Sequence, residues 1–260
     1  MSTVAANGLS VHVERLDPRP VPGEPAPGGP GTAPTAVLIH GLALDTLASW
    51  YLTMAHPIAA AGFQVIMYDL RGHGHTQRPA EGYALDDFVD DLAALLDALD
   101  VTGPVHLLGN SFGGGIAFGY AARHPERVAA IAAVESTPPT AAWLARVPRW
   151  VGRADAFLPG DDGPRARSIR EVLGATSLTR DVPASRIPPE ERLAAIRCPV
   201  LCVFGDASGA VELAPDVRRV LPQARIVTVP GGKHTLLVDR PAAVRDIVMP
   251  WLRQGALIDH

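Results

Sequence analysis

One serine stands in a setting that could make its hydroxyl reactive. Ser111 is the centre of the G-x-S-x-G pattern Gly109-Asn110-Ser111-Phe112-Gly113. The apolar run Val105–Leu108 before it predicts a strand, and Gly114–Arg123 after it predicts a helix. A serine on a sharp strand-to-helix turn is held clear of its neighbours, and glycines on both sides let the backbone pass closely. Such a serine can act as a nucleophile when a base removes its proton.

A base and an acid candidate follow Ser111 along the chain. His234 lies in the loop beyond the last predicted strand, and Asp206 follows the strand predicted at Val200–Phe204. The order Ser, Asp, His is the order of a triad built on such a turn. His234 would take the Ser111 proton and return it to the leaving group, while Asp206 would fix the tautomer of the ring. Glu135, at the end of another predicted strand, is the alternative acid or a pocket residue.

Negative charge on a reacting carbonyl oxygen needs hydrogen-bond donors. The backbone N–H of Phe112 opens the predicted helix after the serine, and the N–H of Leu42 follows His40-Gly41 at another strand end. These two groups are the predicted oxyanion hole. Each such donor is typically worth about 2.7–4 kcal/mol of transition-state stabilisation.

Histidines at positions 40, 73 and 75 raise the possibility of a metal site. A zinc site requires a defined set of three or four ligands, and the positions of His40, His73 and His75 fit glycine-rich loops better. We therefore predict no metal, and no cofactor.

Alternating strand and helix patterns surround these residues. Fully apolar runs such as Val200–Phe204 favour central strands of a parallel sheet covered on both faces. Leu85–Leu99 carries apolar residues at helical spacing, and Leu9–Leu16 has the weak alternation of an edge strand. The β/α rhythm predicts an α/β fold with a mostly parallel, doubly wound sheet. The remaining predicted strands are Ala36–His40, Phe63–Tyr68, Val105–Leu108, Val128–Val134 and Arg225–Val229, and the remaining predicted helices are Leu47–Ala61, Gly114–Arg123, Ala210–Leu221 and Pro241–Arg253.

The rhythm breaks between residues 136 and 192. This stretch predicts an insertion over the sheet edge, so residues 1–135 and 193–260 would form the core. Aromatic residues recur every seven positions at Trp143, Trp150 and Phe157. They favour a helix face packed on the core, with the roof of an apolar pocket as the alternative. Thr137 to Arg192 holds nine arginines and seven acidic residues, which predicts a solvated surface or attraction of an acidic or acyl-carrier-bound substrate.

Composition limits the classes of partner. The chain has 260 residues, 47% of them hydrophobic, and a net charge of −4. This length and hydrophobic content are enough for one sizeable core. The sequence lacks the basic stripe of a nucleic-acid-binding protein. No run approaches the roughly 20 apolar residues of a membrane span, and the first ten residues lack the pattern of a signal peptide. We expect a cytoplasmic monomer or homodimer that acts on a small molecule.

Several motifs in order give a wider resemblance. The chain resembles the serine hydrolases of the α/β-hydrolase fold from roughly Leu9 to Arg253. This resemblance implies esterase, thioesterase, lactonase or related activity, with a cap where residues 136–192 lie. Some members of that fold place the acid where Glu135 stands, although Asp206 is preferred here. The matching pieces are His40-Gly41, Asp69-Leu70-Arg71-Gly72-His73-Gly74-His75-Thr76, Gly109-Asn110-Ser111-Phe112-Gly113-Gly114, His124-Pro125-Glu126-Arg127-Val128, Gly205-Asp206 and Gly231-Gly232-Lys233-His234.

Several reactions remain open. Hydrolysis of an ester, thioester or lactone of a small substrate of apolar to mixed character, through an acyl-enzyme, is the leading hypothesis. The elbow also resembles that of ring-cleavage-product hydrolases, which break carbon–carbon bonds, but the loop after His40 lacks their Gly-Pro-rich form and Thr235-Leu236-Leu237 lacks their aromatic residue. Elimination or cyclisation by the same triad and a silent ligand-binding module are further alternatives. Epoxide hydrolases and haloalkane dehalogenases need a carboxylate where this chain has Ser111.

Overall fold

Eight strands form the centre of the protein. The computed structural model describes residues 2–19, 33–43, 45–151 and 163–255. A single sheet has the order β1-β2-β4-β3-β5-β6-β7-β8. The strands β3 to β8 pair in parallel, and only the β1–β2 and β2–β4 pairs are antiparallel. The strands are β1 Ser2–Ala6, β2 Leu9–Leu16, β3 Thr35–Ile39, β4 Gln64–Tyr68, β5 Val105–Asn110, β6 Val128–Val134, β7 Val200–Gly205 and β8 Arg225–Val229.

The predicted α/β fold is confirmed, with one difference at the edge of the sheet. Leu9–Leu16 was expected to be an edge strand, but β1 pairs with its outer side. The connection is Asn7-Gly8, and both residues have positive φ, 47° and 73°. Asn-Gly is the preferred pair for a two-residue hairpin turn, because that turn needs positive φ at both positions. The first strand was therefore missed although its turn signal was present.

Helices cover both faces of the sheet. A π-helix, Tyr51–Ala55, joins α1 to α2, and short 3₁₀ turns occupy Pro125–Arg127 and Gly209–Leu213. The α-helices are α1 Ala48–Trp50, α2 His56–Ala60, α3 Leu85–Ala98, α4 Phe112–Arg123, α5 Ala141–Leu144, α6 Val147–Val151, α7 Pro164–Ala175, α8 Leu178–Asp181, α9 Glu190–Ala194, α10 Ala214–Val220, α11 Leu236–Asp239 and α12 Pro241–Gly255. No helix within the described ranges combines the length and the apolar character that a membrane crossing requires.

The core consists of two apolar layers separated by the sheet. Val37 and Ile39 of β3 join the cluster that contains α3 and α4, whereas Ala36 and Leu38 join the cluster that contains Trp50 and helix α12. Successive side chains of a strand point to opposite faces, so a strand covered on both faces is apolar throughout. This arrangement holds the carboxyl ends of the parallel strands at one edge, where ligand sites of such sheets form.

Between β6 and β7, the residues that the structure describes (135–151 and 163–199) form helices and no strand. Helices α5 to α9 occupy this stretch, and buried residues from them, including Trp143 and Val172, join the α3/α4 layer. Its assignment as a cap separate from the core stays a prediction. Phe157 lies outside the described residues, and so does the side chain of Trp150.

Candidate active site

Ser111 occupies a strained turn between β5 and α4. It has φ 51° and ψ −120°, a region that costs a non-glycine residue on the order of 1–3 kcal/mol. The turn requires neighbouring backbone segments to approach closely, which only residues without a Cβ allow. A Cβ on Gly109 would lie 2.4 Å from Gly114 Cα, and one on Gly113 would lie 2.3 Å from the Ile39 carbonyl oxygen. The G-x-S-x-G glycines are therefore fixed by backbone contact on both sides of the serine.

His234 lies within hydrogen-bond distance of this serine. Ser111 Oγ is 2.9 Å from His234 Nε2. The loop that carries His234 packs tightly on the end of β7, because a Cβ on Gly205 would lie 2.2 Å from the backbone of Gly232. Gly231 has φ 67°, so a glycine is favoured at this turn. The side chain of His234 remains about half exposed, so its ring is accessible to solvent.

The other nitrogen of His234 faces Glu135. His234 Nδ1 is 3.2 Å from Glu135 Oε2, and the carboxylate side chain is fully buried. The backbone N–H of Gly205 donates to Oε1 at 2.5 Å, and the hydroxyl of Ser208 donates to Oε2. Burying a carboxylate is costly unless donors and an opposite charge compensate. This environment supplies the donors, and a protonated His234 would supply the charge.

Asp206, the acid preferred from the sequence, has a different described contact. Its Oδ1 accepts a hydrogen bond from the backbone N–H of Gly231 at 2.7 Å. Asp206 thus holds the loop that leads to His234. We therefore carry Glu135 forward as the acid. The two carboxylates follow the neighbouring strands β6 and β7, so they lie at the same edge of the sheet.

The loop after β3 lies against the serine. A Cβ on Gly41 would lie 3.3 Å from Ser111 Cβ. The N–H of Gly41 donates to Asp45 Oδ2 at 2.8 Å, and that of Ala43 donates to His73 Nε2 at 2.8 Å. Leu42 lies between these two fixed points. Phe112 is the first residue of α4, and the first N–H groups of a helix have no acceptor within it. The assignment of both N–H groups to an oxyanion hole remains a proposal.

Asp45 is a site residue that the sequence analysis did not identify. Besides Gly41, its Oδ2 accepts from the side-chain amide of Asn110 at 3.0 Å, and Oδ1 accepts from the N–H of Thr46 at 2.9 Å. One carboxylate therefore connects the loop beside the serine to the residue that precedes the serine. A single aspartate in the mostly apolar stretch 41–48 gives no sequence signal for this contact.

The three histidines of the glycine-rich loops, His40, His73 and His75, make hydrogen bonds and ring contacts that stabilise those loops. His40 Nε2 accepts from the N–H of Leu70 at 2.9 Å, and its Nδ1 contacts the carbonyl of Gly41 at 2.7 Å. Burial, with His40 nearby, lowers the pKa of His73 to about 4, so His73 is neutral at pH 7. His75 packs against another histidine ring and donates its N–H to Asp69 at 3.0 Å. Within the described ranges no three His, Cys, Asp or Glu side chains group as metal ligands.

Asp69 connects these loops. It accepts from the N–H of Leu47 at 3.0 Å and contacts His12 Nδ1 at 2.7 Å. Burial alone would raise the pKa of the Asp69 carboxyl, but nearby His40 and hydrogen bonds from neighbouring groups hold that pKa below its usual range. The carboxylate therefore stays ionised, as its acceptor role requires.

Trp143, from the segment between β6 and β7, lies close to Ser111. Its ring stacks on Phe112 at a centroid distance of 6.1 Å. It also lines a cavity of about 10 Å³, together with Ser111 and Glu135. A cavity of that size is near the lower limit for one water molecule. Trp143 therefore lines the space beside Ser111 as well as packing on the core.

Comparison with known proteins places the chain among related folds. A family model described as alpha/beta hydrolase fold matches residues 34–199. A Bacillus subtilis (strain 168) protein is 30% identical over 86% of this chain and 92% of its own length, under the provisional name 2-succinyl-6-hydroxy-2,4-cyclohexadiene-1-carboxylate synthase. The structure of a carboxylesterase from Nitrososphaera gargenis covers 96% of each chain with a TM-score of 0.70 and 26% identity.

Higher local identity is confined to part of the chain. A 2-hydroxymuconate semialdehyde hydrolase from Pseudomonas sp. (strain CF600) is 44% identical over 35% of this chain and 32% of its own. The alignments with this hydrolase and three other curated relatives each cover only 28% to 40% of the relative's own length.

Proposed function

The chain belongs to the α/β-hydrolase family, and we propose that it is a serine hydrolase of an ester, thioester or lactone. In this proposal Ser111 is the nucleophile, His234 is the general base and acid, and Glu135 is the acid member of the triad. One observation carries the proposal. Ser111 Oγ, the two nitrogens of His234 and Glu135 Oε2 form a continuous series with separations of 2.9 Å and 3.2 Å.

Acylation begins with His234 as the neutral tautomer that is protonated on Nδ1. Nδ1–H donates to Glu135, so Nε2 is free to accept the proton of the Ser111 hydroxyl. Ser111 Oγ then bonds to the substrate carbonyl carbon, and the carbonyl oxygen becomes an oxyanion. The N–H groups of Phe112 and Leu42 donate to that oxyanion. The imidazolium returns its proton to the leaving alcohol or thiol as the carbon–oxygen or carbon–sulfur bond breaks.

Deacylation repeats these steps with water. His234 takes a proton from a water molecule whose oxygen attacks the acyl carbon. The second tetrahedral intermediate collapses, the bond to Ser111 Oγ breaks, and Oγ recovers the proton from His234. The acid product leaves and the resting state returns. The buried Glu135 carboxylate stabilises the imidazolium in both halves of the cycle, and Asp206 acts as a positioning residue through Gly231.

Two relatives each support an alternative reaction for this site. Local similarity to the Pseudomonas hydrolase supports carbon–carbon bond hydrolysis. Similarity along most of the chain to the Bacillus protein named as a synthase supports a non-hydrolytic use of the same residues, such as elimination or cyclisation. Neither alternative changes the role of His234 as the base. Oxygen from labelled water enters the product of either hydrolysis but not the product of an elimination. Cleavage of a vinylogous diketone used as substrate distinguishes carbon–carbon bond hydrolysis from ester hydrolysis.

A fluorophosphonate probe tests the proposal directly. We expect the protein to become labelled and Ser111→Ala to abolish labelling, because the probe needs an activated serine. Ser10→Ala, which removes an exposed hydroxyl on β2, is the matched control and should label normally. An intact protein that neither labels nor hydrolyses any member of a panel of p-nitrophenyl esters and acyl thioesters contradicts the proposal.

A further inference from the structure

A second cavity lies beside the loop that follows β3. Its volume is about 520 Å³, within the roughly 300–1,000 Å³ of small-molecule sites. Ala43 and Asp45 line it from that loop, Leu52 from the π-helix, Val172 from α7 and Val238 from α11. Four separate parts of the chain therefore converge on one hollow.

Two of the segments that line the hollow continue along the chain to the proposed reacting centre. Gly41, two residues before Ala43, has its Cα beside Ser111, since a Cβ there would lie 3.3 Å from Ser111 Cβ. On the other side, Val238 belongs to the helix that begins two residues after His234. The cavity thus opens between the segment proposed to bind the oxyanion and the segment that carries the base.

Apolar side chains supply most of the lining area of the cavity, and polar side chains such as Thr46 and Thr53 supply the rest. Val172 is buried, but Leu52 is 80% exposed and Val238 is 57% exposed. Within the described ranges only Tyr51 joins these two as an exposed large hydrophobic residue. Exposed apolar side chains that gather at a concave site, rather than being scattered, indicate a binding surface.

The charge of the walls discriminates between ligands. His73 lines the cavity, but burial lowers its pKa to about 4, so it carries no charge at pH 7. Among the lining residues that the structure describes, Asp45 then holds the only formal charge, and its carboxylate already accepts from Gly41, Asn110 and Thr46. Arg78, which donates to the carbonyl of the lining residue Gly72 at 3.1 Å, is ion-paired with Glu171 of α7. Asp45 therefore sets the charge of the lining, and a negative group disfavours an anionic ligand.

We infer that this cavity binds an uncharged apolar arm of the substrate, alkyl or aryl, and discriminates against arms that end in a carboxylate or phosphate. The inference rests on the proposed function in one respect, that the reacting carbonyl of the same substrate lies at Ser111. Each methylene buried in the cavity should tighten binding by up to about fourfold. The substrate class is thereby narrowed to neutral esters, thioesters or lactones with an aliphatic or aromatic chain.

Binding to the Ser111→Ala protein tests the inference without any turnover. Methyl hexanoate and monomethyl adipate share a six-carbon acyl chain and differ only in a terminal methyl or carboxylate group. Ligand-observed NMR at pH 7.5 should give at least tenfold tighter binding of methyl hexanoate. Equal affinity, tighter binding of the adipate, or binding of neither ester overturns the inference.

Two lysine variants locate the ligand. Leu52→Lys places a cation on the exposed rim of the cavity and should reduce the preference for methyl hexanoate severalfold. Tyr51→Lys adds the same charge one residue away, outside the described lining, and should leave the preference unchanged. Equal effects of the two variants, or no effect of either, contradict the placement of the arm.

The outcome for the cavity is separate from the outcome for the catalytic proposal. If the fluorophosphonate labels Ser111 and neither ester binds selectively, the hydrolase proposal stands and the cavity assignment fails. If selective binding is found and Ser111 never labels, the cavity assignment stands and the proposed chemistry fails.

Discussion

Replacement of Glu135 by glutamine tests the choice of acid. The side chain keeps its size, but the negative charge beside His234 is lost. An amide NH₂ that faces Nδ1 also favours the tautomer with the proton on Nε2, and that tautomer cannot accept the Ser111 proton. Glu135→Gln should therefore lower kcat and leave KM nearly unchanged, because the lost interaction is strongest when the imidazolium forms.

The distance sets the size of the effect. A carboxylate and an imidazolium separated by 3.2 Å attract each other by about 5 kcal/mol at an effective dielectric constant of roughly 20. That energy corresponds to about 10⁴-fold in rate. The ring of His234 is about half exposed, so solvent screening weakens the attraction. We expect a loss of about 10²- to 10⁴-fold.

Two control variants accompany this measurement. Asp206→Asn should cost no more than about tenfold, because the asparagine oxygen can still accept from the N–H of Gly231. Ser208→Ala removes one hydrogen bond to Glu135 without removing the charge, so it should lower stability by about 1–3 kcal/mol with a modest effect on rate. Initial rates on a neutral p-nitrophenyl ester, with thermal unfolding of each variant, complete the comparison. A folded Asp206→Asn protein that loses more activity than Glu135→Gln refutes the reasoning.

Two further predictions concern the loops around the serine. Asp45→Ala releases Gly41 and Asn110, so it should lower kcat about 10- to 100-fold and weaken the binding of a boronic acid inhibitor by a similar factor. The midpoint of thermal unfolding should stay within a few degrees of the parent protein. Unchanged affinity for the inhibitor would argue against a positioning role of Asp45. The pKa of His73 is about 4 in the folded protein against roughly 6.5 when unfolded, so the unfolded chain binds the extra proton first as pH falls. Stability should drop by about 3 kcal/mol between pH 6.5 and pH 4, and His73→Gln should flatten this part of a denaturant-derived stability profile; an equally steep profile would contradict the assignment.

Local signals made the fold and the serine predictable. The strand, the tight glycine turn and the helix around Ser111 are adjacent in sequence, so a short window contains all the constraints on them. Fully apolar runs such as Val200–Phe204 likewise indicate a strand covered on both faces. The hairpin at Asn7-Gly8 carried an equally local signal, and it was overlooked because the strand before it is mostly exposed.

The third member of the proposed triad depends on side-chain directions that a sequence does not contain. Glu135 and Asp206 follow neighbouring strands, and either could be near a histidine at that edge. Glu135 has φ 54°, an uncommon backbone conformation for glutamate, and its carboxylate finds Gly205 and Ser208 as donors. The chain-order rule for such triads favoured Asp206, and no local pattern indicated this unusual turn.

The contact network of Asp45 was unpredictable for a related reason. Its partners are near in space but belong to different loops, since Asn110 is 65 residues away. Short loops have no periodicity from which such pairings follow. The apolar lining of the second cavity likewise comes from four separate segments, and only their packing brings Leu52 and Val238 to the same hollow.

The Asp206–Gly231 hydrogen bond has a consequence for the history of such sites. Moving the acid of such a site from one strand end to its neighbour takes two substitutions. The sequence between them lacks the acid unless both positions carry a carboxylate at that stage. This chain has a carboxylate at each of the two strand ends, and Asp206 accepts a hydrogen bond from the loop that carries the imidazole. Drift at either position can therefore begin from a folded protein, and lineages that differ in the origin of this acid can be connected by small steps.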